Sequence, residues 1–280
     1  MNVVFESFDS IGKLVSALNS RTSNSVFAGK EDSKRTDFRY ARFSGTESYE
    51  EAVQLATKGW DGPLDELKEV ARSMNLKTNV TADKHRPTTG IVGYAPCVPN
   101  AIRGLPNSMI MTERTPSKVK AITIVYANAD VGGIKSSAYL KSGVSILKLI
   151  QRLELSGYRV RLQSEFKSSV ESDEYAIVRV TLKDWREPVD LKKLTFPFAN
   201  SGMQRRLGFR WMETVPTLTK IGWCSGYGST IARHMDYDEQ IDFYKRNHLL
   251  DDGSYFITKQ LCEDEKYDVD RIMNRAGMKL

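Results

Sequence analysis

The stretch from residue 121 to residue 162 constrains the fold more than any other part of this 280-residue chain. An apolar run is followed there by a loop with two glycines, a long amphipathic segment and a second apolar run. The pattern predicts a strand at 119–127, a helix at 137–156 and a strand at 158–166, which is typical of an α/β fold. Apolar residues recur in the amphipathic segment at the spacing of one helix face, at Leu140, Val144, Leu147, Ile150 and Leu153.

The segments after this unit continue the alternation. A strand at 175–183 is predicted to form an antiparallel hairpin with the strand before it, and "LTFPFA" is predicted as a further strand. Helices are predicted for "SGMQRRLGFRWMET", for 236–247 and for 267–276, with a short strand "SYFIT" before the last of them. Together these elements predict an α/β three-layer sandwich with a mixed sheet over residues 118–280.

Residues 1–117 are predicted to form an N-terminal region that packs on this α/β domain. "TDFRYARFSGTESY" alternates like a short strand, and Ser48 with Glu51 three residues later predicts a helix start that runs to Gly59. A second helix at about 64–74 is expected to complete a helical hairpin. Residues 87–116 hold five of the nine prolines and predict an extended Pro-rich connector whose apolar side chains lie on the core.

Composition and charge bound the class of protein. The formal net charge of +6 comes from 41 basic and 35 acidic residues, which is typical of a mixed-charge surface. The chain has no run of 18 apolar residues, and its first residues lack the pattern of a signal peptide. The cysteines are few and far apart, at Cys97, Cys224 and Cys262. We therefore expect a cytoplasmic protein with free thiols.

The order of strand, loop, long helix and strand hairpin resembles the von Willebrand factor A fold. That resemblance implies a magnesium site built from an Asp at the end of the first strand and two serines at alternate positions after it. In this chain Tyr126 stands at the Asp position, and Asn128 and Asp130 stand at the serine positions. We therefore expect no metal site, and we expect Asp130, Ser136 and Ser137 to form a turn and a helix N-cap.

Two other motifs resemble an uncharacterised family of proteins encoded by bacteriophages and prophages. They are "FSGTESYEEAVQLATKGW" and "GYAPCVPNAIRGLPNSMI", and the later segments "KAITIVYAN" and "SGMQRRLGFRWMET" match that family in outline. The resemblance implies a phage origin and a location in the host cytoplasm, with the virion left open. It implies no particular reaction.

The sequence carries no catalytic or cofactor-binding fingerprint. Ser225 lies near glycines, but the spacing of a nucleophile elbow is absent. His85, His234 and His248 lack the i, i+4 spacing of a helical metal site, and no phosphate-binding glycine motif follows a strand. We therefore expect a non-enzymatic protein without a cofactor.

A binding function is the remaining expectation, with another protein as the favoured partner. Open α/β sheets present ligands at the carboxyl ends of their strands, which points to the loops 128–137, 198–202 and 223–229. The candidate contact residues in these loops are Asn128, Asp130, Ser136, Ser137, Asn200, Trp223 and Tyr227.

Single-stranded nucleic acid is the alternative partner. Cations alternate with aromatic residues in "FRYARF", "RRLGFRW" and "FYKRNH", a combination that lets arginine contact phosphate while a ring stacks on a base. On this hypothesis an outer basic face would be formed by Arg205, Arg206, Arg210, Lys245 and Arg246. A structural role in the virion is the third hypothesis.

Overall fold

The computed structural model describes residues 2–27, 31–63, 65, 85–114, 120–128, 136–170, 174–218, 226–229, 231 and 234–278. The strands of these residues are β1 (Asn2–Phe8), β2 (His85–Gly90), β3 (Ala95–Pro96), β4 (Met109–Arg114), β5 (Ala121–Ala127), β6 (Arg159–Val170), β7 (Glu174–Lys183) and β8 (Ser254–Thr258). The helices are α1 (Ile11–Ser20), α2 (Phe38–Ser44), α3 (Tyr49–Lys58), α4 (Val98–Ile102), α5 (Ser136–Leu155), α6 (Leu191–Ala199), α7 (Phe209–Thr214), α8 (Tyr237–Arg246), α9 (Lys259–Asp264) and α10 (Val269–Arg275). Two short 3-10 turns (Ser25–Phe27 and Asp32–Lys34) follow α1, and a π-helical turn (Met203–Gly208) leads into α7. None of the described helices is long and apolar enough to span a bilayer.

The main sheet has five strands in the order β1-β7-β6-β5-β8. β5 pairs in parallel with both β6 and β8, while β6 and β7 form an antiparallel hairpin. β1 lies parallel to β7 at the other edge. The α/β class, the mixed sheet, the long helix and the hairpin predicted from the sequence are confirmed.

Successive residues of each strand point to opposite faces of the sheet, and both faces are covered. On one face, Val178 and Val180 of β7 pack with Leu14 of α1, Ala52 of α3 and Trp211 of α7. Farther along that face, apolar residues of β5, β6 and β8 pack on α5, α6, α9 and α10. On the other face, residues of alternating position pack on α8 and on the chain that follows it: Val125, Ala127, Tyr175, Ile177 and Phe256. The result is three layers.

The predicted boundary at residue 117 does not separate two cores. β1 joins the sheet whose other strands follow that residue, and its Glu6 accepts hydrogen bonds from Trp211 Nε1 at 2.7 Å and from Arg21 at 2.6 and 2.8 Å. The Arg21 contact is the main reason that the pKa of Glu6 lies below its usual range. The first strand is therefore fixed to α7 by a partly buried, charged contact, and apolar residues of β1, α1 and α3 share the core of the main sheet.

The start of α3 follows the prediction. Ser48 Oγ accepts a hydrogen bond from the backbone N–H of Glu51, and the helix ends at Gly59, whose φ is +90°. The Glu51 carboxylate reaches back to the N–H of Glu47, one residue before the cap. The second helix of the expected hairpin, at about 64–74, lies outside the described residues except for Asp65.

The strand predicted in "TDFRYARFSGTESY" is wrong, because this segment forms α2. Asp37 caps the helix by accepting from the N–H of Tyr40, and Gly45 ends it with φ +78°. The alternation of aromatic and charged residues was misleading, since Phe38 is 80% exposed while Tyr40 is buried. Two local caps outweigh a weak period-two pattern here.

The strand predicted for "LTFPFA" is also wrong, because these residues lie in α6. Asp190 caps the helix through the N–H of Lys193, and Phe196 and Phe198 are both buried. Proline removes one helical hydrogen bond. At Pro197 that loss falls two residues before the helix ends, and its carbonyl accepts from Asn128 Nδ2 at 2.9 Å.

A buried guanidinium joins the π-helical turn to the N-terminal segment. Arg206, which is 0% exposed, donates five hydrogen bonds to Thr46 Oγ1 and to four backbone carbonyls. These carbonyls belong to Ser33, Arg35, Thr46 and Glu47, so one side chain holds the chain before α2 and the chain after it. The Tyr40 ring packs on the guanidinium at 4.9 Å.

We expect the substitution Arg206→Met to lower the free energy of unfolding by about 3–5 kcal/mol, because it leaves several buried carbonyls without a donor. Guanidinium chloride unfolding measures the change. Arg275→Met is the control, because the Arg275 guanidinium also donates hydrogen bonds, to the Asp238 carboxylate, but does so at the surface. The midpoint of this variant should stay near that of the wild type. Equal midpoints for the wild type and Arg206→Met would contradict the role of Arg206.

The second face of the sheet buries a lysine. Lys167 is 1% exposed, and its ammonium lies 4.6 Å from the centre of the Phe256 ring and 2.5 Å from Gln240 Oε1. Burial lowers the pKa of Lys167 to about 8, although the nearby Glu165 carboxylate acts in the opposite direction. Glu165 is itself bound by Arg179 and Tyr244.

This lysine should make stability depend on pH. Between about pH 8 and the ordinary lysine pKa of about 10.4, the unfolded chain holds a proton that the folded chain has lost, so the wild type gains stability as pH rises. The double variant Lys167→Met/Gln240→Leu should be more stable than the wild type by about 3 kcal/mol at neutral pH and should lose that advantage by about pH 10. Unfolding free energies of the two proteins, measured across this pH range, give the difference in stability. Glu165, Arg179 and Tyr244 are present in both proteins, so their titration does not contribute to that difference. A difference that stays constant with pH would contradict the assignment.

Candidate protein-binding surface

Two of the predicted loop residues have structural roles. Asn128 follows β5 and is 1% exposed; besides its bond to Pro197, its backbone N–H donates to the carbonyl of Glu165. Asn200 follows α6, donates to the carbonyl of Gly45 and accepts from the N–H of Gly202. Both side chains are buried and hold neighbouring loops together, so they do not offer a contact surface.

Tyr227 lies elsewhere in the fold and is also partly enclosed. Its ring stacks on Phe209 at 3.8 Å and on Phe27 at 5.2 Å, and its hydroxyl donates to the buried Glu213 carboxylate. Burial raises the pKa of Glu213, which is held in addition by Ser33 and Arg210. Asp130 and Trp223 lie outside the described residues. Ser136 and Ser137 begin α5, and their side chains are outside the description.

The prediction of an outer basic face is wrong for Arg205, Arg206 and Arg210, because all three side chains are buried. Arg205 packs its guanidinium 3.9 Å from the Phe43 ring and donates to the Phe43 carbonyl. Arg210 donates to Glu31 at 2.8 Å and to Glu213 at 3.3 Å, and Arg206 is the buried anchor described above. The apolar stripe through Met203, Leu207 and Trp211 does face the core, but the arginines between them are enclosed by the segment 31–47.

Lys245 and Arg246 are the two predicted cations that the structure exposes, at the end of α8. They are separated from the three arginines, since α8 covers the opposite face of the sheet. The structure therefore does not bring the five cations together. Within the described part of the chain, no cluster of three or more His, Cys, Asp or Glu residues is placed to hold a metal ion.

A surface of a different kind is formed by residues 85–114, which we name the arm. β4 lies in the centre of its three-stranded sheet, between β2 and β3. β2 pairs with β4 from His85↔Arg114 to Gly90↔Met109, so the chain enters and leaves at one end, the base. The six residues of β2 place the other end, the tip, about 20 Å away.

The tip, residues 91–108, is an ordered loop. The N–H of Tyr94 donates to the Ile110 carbonyl at 2.9 Å, and the N–H of Cys97 donates to the Ser108 carbonyl at 2.7 Å. Inside this closure lies α4, with Pro99 in its first turn. Asn100 Nδ2 then donates to the Asn107 carbonyl at 2.9 Å. The motif "VPNAIRGLPNSM" therefore encodes a scaffold of caps and turns.

Gly93 is required by close packing against β4. A Cβ atom at this position would lie 2.2 Å from the backbone oxygen of Ile110, which is far inside the contact distance. Gly104 follows α4 with φ +66°, a conformation that glycine adopts without strain. The shape of the tip thus depends on two glycines, in addition to the asparagine and the prolines.

The arm exposes its apolar side chains to water. Ten large hydrophobic residues are exposed in the described part of the chain, and seven of them belong to the arm. They are Ile91, Val92, Tyr94, Val98, Ile102, Leu105 and Met111, with exposed fractions of 38–81%. No residue between 87 and 112 is buried. A three-stranded sheet without a core of its own is marginal in water, so this surface is suited to burial against a partner.

The expectation that the Pro-rich connector lies on the core is therefore wrong. Its apolar residues were read as core because apolar residues are usually inside. A signal for the other outcome is present in the sequence: between Ile91 and Thr112 the only charged residue is Arg103. This segment is apolar and nearly uncharged, and its apolar residues follow neither a helical nor an alternating period. It therefore has no single face that would pack on a core.

The whole chain was compared with known protein families, curated proteins and solved structures. One family model matches residues 1–279 and is described as a domain of unknown function, DUF7192. The chain belongs to the DUF7192 family. No curated protein and no solved structure matches it significantly. The DUF7192 match extends over the main sheet and the arm alike, so the arm is part of the family's domain.

We expect Gly93→Ala to disrupt the arm and to leave the main sheet intact, because the added Cβ collides with the Ile110 carbonyl. Trypsin cleavage after Arg103 should become faster by roughly tenfold or more, while the thermal unfolding of the main body should not shift. Gly12→Ala is the control, since its Cβ would meet only Ser10 Oγ, at 3.8 Å. Unchanged cleavage after Arg103 would show that Gly93 does not determine the structure of the tip.

Proposed function

We propose that this DUF7192 protein is a non-enzymatic binding protein that acts through protein–protein contacts of the arm tip. The observation that carries the proposal is the concentration of exposed apolar side chains on an ordered loop without buried residues. Exposed apolar patches of this kind are typical of protein-binding surfaces in soluble proteins.

The location of charge supports an apolar protein contact over a nucleic-acid contact. Nucleic-acid interfaces depend on several exposed cations that neutralise phosphates. The tip carries only Arg103, and Arg205, Arg206 and Arg210 are occupied by carbonyls, a ring and carboxylates inside the core. Of the five cations predicted to contact single-stranded nucleic acid, only Lys245 and Arg246 are exposed.

Two finer aspects of the proposal rest on resemblance. The order of β5, α5 and the β6–β7 hairpin supports a von Willebrand factor A-like main domain. Buried Tyr126, whose hydroxyl donates to Asn128 Oδ1, stands where that family has its metal-binding Asp, which supports a version without the metal. The paired motifs around α3 and the tip support a phage origin, and with it action in the host cytoplasm or in the virion.

A photo-crosslinking residue at position 102 tests the proposal in the cells that produce the protein. Ile102 is 81% exposed at the tip, and Phe38 is 80% exposed on the main body, so the same probe at position 38 is a control of equal exposure. We expect a protein crosslink from position 102 that is absent from position 38. Adding Ile91→Asn and Val92→Asn should reduce its yield by roughly tenfold or more, since each substitution removes apolar area from the contact.

The result that would refute the proposed function is an equal pattern of crosslinks from the two positions, or no protein crosslink from position 102. A crosslinked species that nuclease degrades would favour the nucleic-acid alternative. A circular dichroism spectrum like that of the wild type shows that the variants remain folded.

A further inference from the structure

We infer that the partner of the arm tip is a second copy of this chain, so that two tips pack against each other about a twofold axis. This inference rests on the proposed function, because it names the partner of the same surface. Three properties of the tip support it: the amount of apolar surface, the low charge and the proline-containing strand edges.

The apolar surface of the arm matches the requirement of a stable dimer. Large apolar residues present about 150–250 Å² each when fully exposed, so exposed fractions of 38–81% over seven residues give on the order of 800 Å². A standard protein interface takes about 800 Å² from each partner, whereas the largest apolar patch of a typical monomer is about 300–600 Å². The seven residues, covered together, would therefore supply about the area that one partner contributes to a standard interface.

The charge of the tip permits contact with an identical surface. A twofold interface brings the same patch from both copies together, so a charged patch would repel itself. Between Ile91 and Thr112 only Arg103 is charged, although the chain as a whole carries +6. A partner chosen by charge would need a complementary charge on the tip, and the tip offers almost none.

Prolines in the outer strands of the arm favour side-chain packing as the mode of contact. β2 contains Pro87 and β3 contains Pro96, and both strands are edges of the arm's sheet. A proline has no N–H to donate to an added strand. The two copies are therefore expected to meet through Ile91, Val92, Tyr94, Val98 and Ile102 rather than through a continuous sheet.

Sedimentation of the purified full chain tests the inference directly. We expect the wild type to shift from monomer to dimer as concentration rises through the low micromolar range, which corresponds to about 8 kcal/mol of association. The triple variant Ile91→Asn/Val92→Asn/Ile102→Asn should remain monomeric at concentrations roughly a hundredfold higher. Phe38→Asn is the matched control and should dimerise like the wild type, because Phe38 is equally exposed on another part of the surface.

Cys97 provides a second measurement within the tip. It is partly exposed, whereas Cys262 is buried and its pKa is raised by burial to about 12, so Cys262 should be inert. With Cys224→Ser as background, thiol labelling of Cys97 should slow by roughly tenfold on dimer formation and should stay fast in the triple variant. Val98→Asn/Leu105→Asn is a second variant that should act like the first.

Each other outcome overturns the inference in a distinct way. Dimers that persist in both tip variants place the interface elsewhere. A monomer with a protected Cys97 means that the chain covers its own tip, and a monomer that floats with anionic phospholipid vesicles means that lipid is the partner. A monomer that still crosslinks a different protein from position 102 refutes self-association and leaves the proposed function standing. Failure of dimerisation together with the absence of any crosslink refutes both.

Discussion

The buried guanidinium of Arg206 is the interaction on which the arrangement of the N-terminal half depends. It binds carbonyls on both sides of α2, and so it fixes the path of residues 33–47 over the π-helical turn. Burying a charged group is costly unless it is hydrogen-bonded. Here the guanidinium donates five hydrogen bonds, and the Tyr40 ring packs on it. Other side chains of this helix bind the same segment, and Glu6 joins it to β1. The N-terminal segment is therefore held by polar contacts to this helix, in addition to the apolar cluster that packs it on the main sheet.

Elements with strong local signals were predictable from the sequence. The helix at α5 has four turns of apolar period. β6 places its apolar residues on one face, and β7 is a nearly continuous apolar run, so the type of these elements followed from the pattern. α2 and α6 were mistaken for strands because short aromatic runs satisfy both periods. Their caps at Asp37 and Asp190 and the tertiary burial of Tyr40 and Phe196 decide in favour of helix. The place of β1 beside β7 could not be predicted, since nothing local specifies a partner 170 residues away.

The site illustrates the same limit more sharply. Positions of cations in the sequence indicated a basic face, but whether Arg205, Arg206 and Arg210 point outward depends on the segment 31–47, which is distant in sequence. Apolar residues of the arm indicated a core position, yet a core position needs a surface to pack on. The scaffold of the tip was not predicted, although its signals are local: Pro99, Asn100 and Gly104 stand in "VPNAIRGLPNSM", and each has a local backbone role.

The contrast between body and arm argues for a function in the arm. The main body of the protein has three apolar clusters, and buried charges such as Glu213 and Arg179 have internal partners there. The arm is folded by backbone hydrogen bonds and two glycines, and it leaves Ile91, Val92 and Ile102 in water. Selection for stability alone would replace such residues by polar ones at little cost, since they support no core. Their presence on a rigid loop is explained if a binding partner covers them in the functional state of the protein.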